Sequence, residues 1–328
     1  MMSPAHIAVI GSGIAGLTCA IRLQKAGATV TLFDKSRGAG GRACTRRAAA
    51  ARFDHGAQYF TTRDPDFEAA VQHWHQMGWV QPWNARFGQW KNGAIERESI
   101  TQTRWVGTPR MSIIGKMMAQ TLDVRLQHKV TAITANGGKW SLTFDETSIT
   151  EQFDWVVLTC PGPQAANLLP PDTAIRRSAL ALSYEPCWAL MASFGQPLAA
   201  PLDGLHIAHP TLAWAARDSA KPCRDAGERW VVHAQSAWSQ AHVNASPEEV
   251  TSKMISALGD VLNETVNPQY TSAHRWLYAR PSPPPPGLVN LDVGQRLAIC
   301  GDGLHGPRVE NAWLSGQQMA DSILKHLN

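Results

Sequence analysis

The segment Gly11-Ser12-Gly13-Ile14-Ala15-Gly16 spaces its glycines as G-x-G-x-x-G, and an acidic residue, Asp34, follows downstream. In that pattern Gly11 permits a tight turn, Gly13 lets a pyrophosphate approach the backbone, and Gly16 lets a helix pack closely on a strand. The helix opening at Ile14 and Ala15 would stabilise phosphate charge at its N-terminus. Asp34, with Lys35 beside it, would accept hydrogen bonds from a ribose hydroxyl. The alternative is a glycine-rich structural turn. Ser36-Arg37-Gly38-Ala39-Gly40-Gly41-Arg42 follows closely. Its glycines, Gly41 included, suit close backbone approach to an ADP moiety, with Arg42 as counter-charge. Asp54-His55-Gly56-Ala57-Gln58-Tyr59 comes soon after, and Gly301-Asp302-Gly303 lies near the C-terminus, ahead of Arg308-Val309-Glu310-Asn311-Ala312. Asp302 can hydrogen-bond a ribityl chain. The helix opening at Val309 can face the flavin O2 region, where negative charge develops on reduction. Together these segments select FAD among the dinucleotides.

The elements that must position these residues are legible around them. His6 to Ile10 reads as a strand, Leu17 to Ala26 as a helix stopped at Gly27, and Ala28 to Phe33 as a second strand, giving a βαβ unit. Helical patterns follow at Phe67 to Gly78 and Met111 to Leu122, with short strands expected across Trp79 to Trp105. Val124 to Ile133 and Lys139 to Phe144 read as strands about an Asn136-Gly137-Gly138 turn. Trp155 to Thr159 is an apolar run stopped by Pro161-Gly162-Pro163. Residues 170 to 280 lose the helix–strand alternation. They offer strands at Trp188 to Phe194, Leu212 to Ala215 and Trp230 to His233, and a helix at Pro247 to Leu262 capped by Ser246. Five prolines among Pro281 to Pro286 make a stiff connector before a strand at Arg296 to Cys300 and a helix from Ala312 to Leu327.

Bulk properties exclude several classes. With 30 basic against 26 acidic residues, a net charge of +4 gives no case for nucleic acid as the main partner. No apolar run reaches the roughly 20 residues of a membrane helix. Met1-Met2-Ser3 and the residues after it lack the basic and apolar regions of a signal peptide, and the C-terminus is no anchor, so a cytoplasmic protein is expected. None of the six cysteines forms a CxxC pair or shares metal-ligand spacing with histidines. Cys19, Cys160 and Cys300 read as small buried hydrophobes, and no metal site is expected. Most of the 13 tryptophans lie after residue 70, outside the nucleotide-binding segment, and fit either a core or an aromatic-walled pocket.

The glycine motifs, the GGR of Gly40-Gly41-Arg42 and the C-terminal Gly301-Asp302 with its helix resemble the FAD-containing amine-oxidase superfamily. The likeness extends to its renalase branch, bacterial members especially, through Phe33-Asp34-Lys35-Ser36-Arg37-Gly38, Gly56-Ala57-Gln58-Tyr59-Phe60-Thr61, Arg104-Trp105-Val106-Gly107, His274-Arg275-Trp276-Leu277-Tyr278-Ala279 and Ala312-Trp313-Leu314-Ser315-Gly316. The resemblance implies an α/β fold: a Rossmann-type FAD-binding domain with a second domain of mixed β-sheet plus helices for substrate, in p-hydroxybenzoate hydroxylase-like topology. The expected boundaries are 1–62, 106–165 and 293–328 for FAD, and 63–105 and 166–292 for substrate, with the active site at their interface. It further implies His55, Gly56, Ala57, Gln58 and Val130 as cofactor contacts and a non-covalent flavin.

By the same resemblance the leading reaction is oxidation of dihydronicotinamide isomers, 2- and 6-dihydro-NAD(P), to NAD(P)+ and H2O2, with O2 as acceptor. Hydride transfer to flavin N5 leaves an aromatic ring and requires no protein base, and the sequence offers no evident base constellation. Lysines are absent from 254–324, leaving Lys221 and Lys253 as candidates for the lysine that many amine oxidases use. No cysteine lies in the stretch just before the last strand, so covalent attachment of the flavin is not expected. Tyr59, Trp105, His233, Trp276 and Arg308 are the candidate substrate residues. Each tryptophan could equally be core and His233 a structural histidine. Arg104, Arg110 and Arg275 could bind substrate phosphate or be solvated surface charges. The rivals are an amine or polyamine oxidase, a desaturase or protoporphyrinogen-type oxidase, and a non-catalytic FAD-binding redox sensor. A monomer or weak homodimer is expected.

Overall fold

In a computed structural model, residues 4–48, 51–99, 101–145 and 148–327 are described. Met1 to Ser3, read above for targeting signals, and the terminal Asn328 lie outside them. Contacts divide the chain into two units, Met1–Ala43 with Ile114–Tyr184 and Pro281–Asn328, and Cys44–Ile113 with Glu185–Arg280.

The first unit is built on a six-stranded sheet in the order Leu291–Asp292, Leu297–Ile299, Trp155–Leu158, His6–Ile10, Thr29–Asp34, Asp123–Leu126. All its pairings are parallel except that of Leu291–Asp292. His6–Ile10 lies at the centre, and its residues from Ile7 onward are buried, as a strand covered on both faces must be. Helix Ile14–Lys25 packs on helix Val309–Leu324, where Gly316 meets the backbone of Ala15 so closely that no side chain fits. The antiparallel sheet Val130–Asn136, Lys139–Phe144 and Ser148–Phe153 contributes Trp140, Leu142, Phe144 and Phe153 to a core shared with Phe33, Val156 and Leu158. The single strand expected over Val124 to Ile133 is two strands in different sheets. Gln127 turns the chain with φ 60°, and Gln127 and His128 donate their N–H groups to the carbonyls of Ser36 and Asp34.

The second unit carries a seven-stranded mixed sheet, ordered Tyr270–Pro281, Tyr184–Phe194, Glu228–Ala234, Leu212–Arg217, Gly204–Ile207, Phe87–Lys91, Ala94–Arg97. Helix Pro247–Leu262 starts where Ser246 accepts from Glu249 N at 3.1 Å. It buries Val250, Met254, Ala257, Leu258 and Val261, one face at helical spacing, in a core with Trp188, Leu190, Trp230 and Val232. Segment 44–62 belongs here, not with the cofactor-binding part where the sequence reading put it. The Phe60–Trp105 backbone pair and the packing of Ala48 and Phe53 with Met191 and Val231 tie it to this unit. Residues 166–184, in turn, belong to the first unit because Leu169, Ile175 and Ala179 fill its core.

All six cysteines are free, and burial pushes Cys44, Cys160 and Cys187 up to about 12, so these three are thiols at neutral pH. Cys19 and Cys300 are buried as expected, whereas Cys160 is only partly so. No helix among the described residues is long and apolar enough to cross a membrane, and none of their His, Cys, Asp and Glu clusters could hold a metal ion.

Candidate functional site

In the first unit, the loop between strand His6–Ile10 and helix Ile14–Lys25 has the geometry a pyrophosphate needs. Gly11 has φ 113°, and a Cβ there would lie 2.6 Å from Thr159 Oγ1. A Cβ on Gly16 would overlap the Gly11 carbonyl oxygen, whereas Gly13 faces open space. The helix beginning at Ile14 has neither a side-chain cap nor an acidic residue in its first turn. Its leading N–H groups therefore await an acceptor, as a diphosphate would be.

Asp34 closes on this loop. Its Oδ2 accepts from Ser12 N and Ser12 Oγ, both at 2.7 Å, and its Oδ1 from Ser36 N at 2.8 Å. With about four acceptor positions on a carboxylate, Oδ1 keeps one for a ribose hydroxyl. The second glycine loop packs on the first. Gly40 N donates to Ser12 O at 2.8 Å, Gly40 and Gly41 have φ of 116° and 58°, and Gly115 touches Gly40 where no Cβ could stand. Lys35 is exposed at the rim.

Arg42 pairs with Asp302 in a pocket also lined by Thr159, Cys160, Tyr184 and Gly303. Tyr184 Oη accepts from Gly162 N at 3.2 Å, and burial raises its phenol. Gly301, with φ 150°, feeds the short turn Asp302–Leu304 and donates to Ser315 Oγ at 2.9 Å. Helix Val309–Leu324 follows, with Arg308 at its N-cap paired to buried Glu310 at 2.7 Å. Arg308, expected beside substrate, is thus placed in the first unit and engaged by its own helix. Val130 is 8% exposed in the core, so its side chain has little surface to offer a cofactor. Gly115, Thr159 and Tyr184 were not read as site residues, because nothing local in the sequence marks them.

The second unit holds two aromatic groups. In one, the His55 carbonyl lies 3.1 Å from Trp276 Nε1 and 3.2 Å from His233 Nε2, which places the proton of neutral His233 on Nε2. The His55 ring lies 4.9 Å from Trp276 and 5.0 Å from His274. Burial, aided by neighbouring His274 and Arg46, depresses His55 to about 3. Burial likewise takes His233 and His274 to about 4, with Arg46 adding to the effect on His274. All three imidazoles are neutral above pH 5. Gly56, Ala57 and Gln58 continue from His55, and Gln58 turns inward to donate to the Asp54 carbonyl.

In the other group, Tyr59 sits 5.7 Å from Trp214 and 6.2 Å from Phe87. Arg104 lies over both the Tyr59 and Phe87 rings and pairs with Glu98 at 2.8 Å, so it is an aromatic-stacked ion pair rather than a free phosphate ligand. Trp105 is 5% exposed and edge-on to His75, a core residue rather than a stacking surface. Arg275 donates to the Val243 carbonyl.

Beneath these groups lies a buried charge network that sequence reasoning missed. Lys221 has no exposed side-chain surface. Its Nζ donates to Asp218 Oδ1 at 2.6 Å and Gln58 Oε1 at 3.2 Å, and lies 3.5 Å from Asp54 Oδ2. Asp54 also takes Arg224, Thr45 Oγ1 and Met111 N. Burial opposes the charge of Asp54, but Lys221 and Arg224 hold it below the usual carboxylate range. Lys221 is thus committed within its own unit, and Lys253 pairs with Glu249 on an exposed helix face.

Residues 9–74 match the NAD(P)-binding Rossmann-like domain, and residues 102–324 match flavin containing amine oxidoreductase. The second match spans more than half of the chain, which therefore belongs to the flavin-containing amine oxidoreductase family, and its cofactor is FAD. Within that family it resembles renalase of Mus musculus, with 26% identity over 91% of this chain and 92% of that protein. Among solved structures it is similar to cyclohexylamine oxidase from Brevibacterium oxydans IH-35A (TM-score 0.78, 12% identity, 99% of each chain covered). It is also similar to putrescine oxidase bound to putrescine (TM-score 0.73, 14% identity, 98% and 99% covered). At such identities these two likenesses show the fold alone.

Proposed function

We propose that the chain is an oxidase of 2- and 6-dihydro-NAD(P), consuming one O2 and one proton per substrate and releasing NAD(P)+ and H2O2. FAD, bound non-covalently, would supply the hydride acceptor and the route of the electrons to O2. Gly11 to Gly16, Asp34, Gly41, Arg42 and Asp302 hold that cofactor. Tyr59, His233 and Trp276 contribute to binding the substrate rings.

One observation carries the reading: the three imidazoles around Trp276, those of His55, His233 and His274, are neutral. Imidazoles depressed to about 3 and 4 are poor acceptors for the proton of an ammonium substrate. A dihydropyridine, by contrast, gives up hydride and becomes aromatic without losing a proton to the protein. The commitment of Lys221 to two carboxylates supports the same reading over an amine oxidase.

Anaerobic mixing of the yellow holoenzyme with borohydride-reduced NAD, which contains the 2- and 6-dihydro isomers, tests it. Rapid bleaching by that mixture, with slow bleaching by pure NADH and by amines, is expected. Faster bleaching by an amine would establish the amine-oxidase alternative, and no bleaching by either would leave a redox sensor.

A further inference from the structure

The second unit also contains a cleft of about 430 Å³, open in part to solvent, whose lining includes Arg52, Arg110, Arg224 and Arg229. Its carboxylates do not balance them. Asp218 is taken by Lys221 at 2.6 Å, and Asp225, mostly exposed, stands 3.6 Å from Arg52. The Arg224 side chain is only 6% exposed. Its terminal nitrogens reach Asp54 and the Gly107 and Pro222 carbonyls, but its buried Nε has no acceptor, and neither has that of Arg52. Arg229 holds the Ala226 and Asp225 carbonyls. The Arg110 side chain makes no hydrogen bond or ion pair among the described residues. Burial, then repulsion from Arg52 and Arg47, weakens its hold on its proton, against the pull of Asp225. Like charges crowded round a cleft, with donors unmatched, are the electrostatic form of an anion site. Planar guanidinium forks fit tetrahedral oxyanions better than single point charges do.

We propose that this arginine-lined cleft binds a phosphate group. On the dihydronicotinamide reading above, from which this step extends, the group is the diphosphate of the substrate. A free phosphorylated metabolite is the other source of the same chemistry.

The test is calorimetric titration of FAD-loaded enzyme with inorganic pyrophosphate, comparing wild type with Arg110→Ala, Arg110→Lys and Arg229→Ala. Retained flavin absorbance and circular dichroism show that each variant is folded. Saturable binding in the wild type is expected, weakened at least tenfold in Arg110→Ala and less in Arg110→Lys, and falling with added salt. No saturable binding, or equal affinity in wild type and both alanine variants, would overturn the proposal. The source is read separately, from inhibition of turnover with borohydride-reduced NAD. Competitive inhibition by pyrophosphate assigns the cleft to the substrate diphosphate, and binding without competition assigns it to a free phosphorylated ligand. Should the enzyme fail to oxidise dihydronicotinamides, the titration still decides whether the cleft binds phosphate.

Discussion

Replacing Lys221 by Met removes the cation between Asp218 and Asp54 while keeping an unbranched side chain of similar length. Asp54 keeps Arg224, Thr45 and the Met111 N–H, so the orphan is Asp218, 1% exposed. At 2.6 Å the lost attraction is about 6 kcal/mol for an effective dielectric of ~20. A bare carboxylate has a cheaper route, which is to take a proton. For an ordinary carboxyl of 3.8, that costs about 4.4 kcal/mol at pH 7, and less here because burial has already raised Asp218. The expected loss is therefore about 3–4 kcal/mol at pH 7, within the range for breaking a buried pair. Because proton uptake sets the ceiling, the loss shrinks by about 2 kcal/mol on going to pH 5.5. Urea unfolding of wild type and variant at both pH values measures it, with FAD bound throughout. The double variant Asp218→Asn with Lys221→Met should recover at least half of the loss, since no buried charge is left unpaired. A loss under about 1 kcal/mol at pH 7, a loss independent of pH, or a double variant no better than the single one would refute the reasoning. Flavin reduction by substrate should survive in the folded fraction. A lysine with a part in the chemistry would show the reverse, a stable protein with slowed reduction.

Gly16→Ala places a methyl on the Gly11 carbonyl, so the purified variant is expected to be largely free of flavin, as read from the ratio of absorbance at visible and ultraviolet wavelengths. Asp34→Ala frees Ser12 and Ser36 and removes the ribose acceptor. It should weaken FAD binding by about 2 kcal/mol, or roughly thirtyfold, in a titration of apoprotein. Acidification carries a sign set by the buried histidines. Between pH 6.5 and 4, unfolded His55 and His233 take protons that the folded protein refuses, so stability falls as pH falls. From pH 7 to 5 each should cost about 2 kcal/mol, and His55→Gln should flatten the denaturation profile over that window.

What could be read in the sequence was what neighbouring residues determine. The glycine loop, the strand and helix around it and the acidic end of the second strand act on one another within a few turns, and the backbone follows them closely. Ser246 and Asn136-Gly137-Gly138 were legible for the same reason, since a cap and a tight turn are local devices. The break at Gln127 was not, because it is set by carbonyls at Ser36 and Asp34 in a distant part of the chain.

The charge networks show the same boundary from the other side. Lys221, Asp54 and Gln58 meet only because strand Leu212–Arg217 ends where it does in its sheet, and nothing in their own surroundings marks them as partners. Arg104, Arg110 and Arg275 looked alike in sequence, yet one is stacked on rings and held by Glu98, one donates to a carbonyl, and of the three only the Arg110 side chain lacks a hydrogen-bond or ion-pair partner among the described residues. Charge at a sequence position is therefore weak evidence for a ligand, whereas charge that the fold brings together in excess of its counter-charges is stronger evidence. By that criterion the arginine cleft is a better place to look for a bound anion than any single arginine chosen from its local motif.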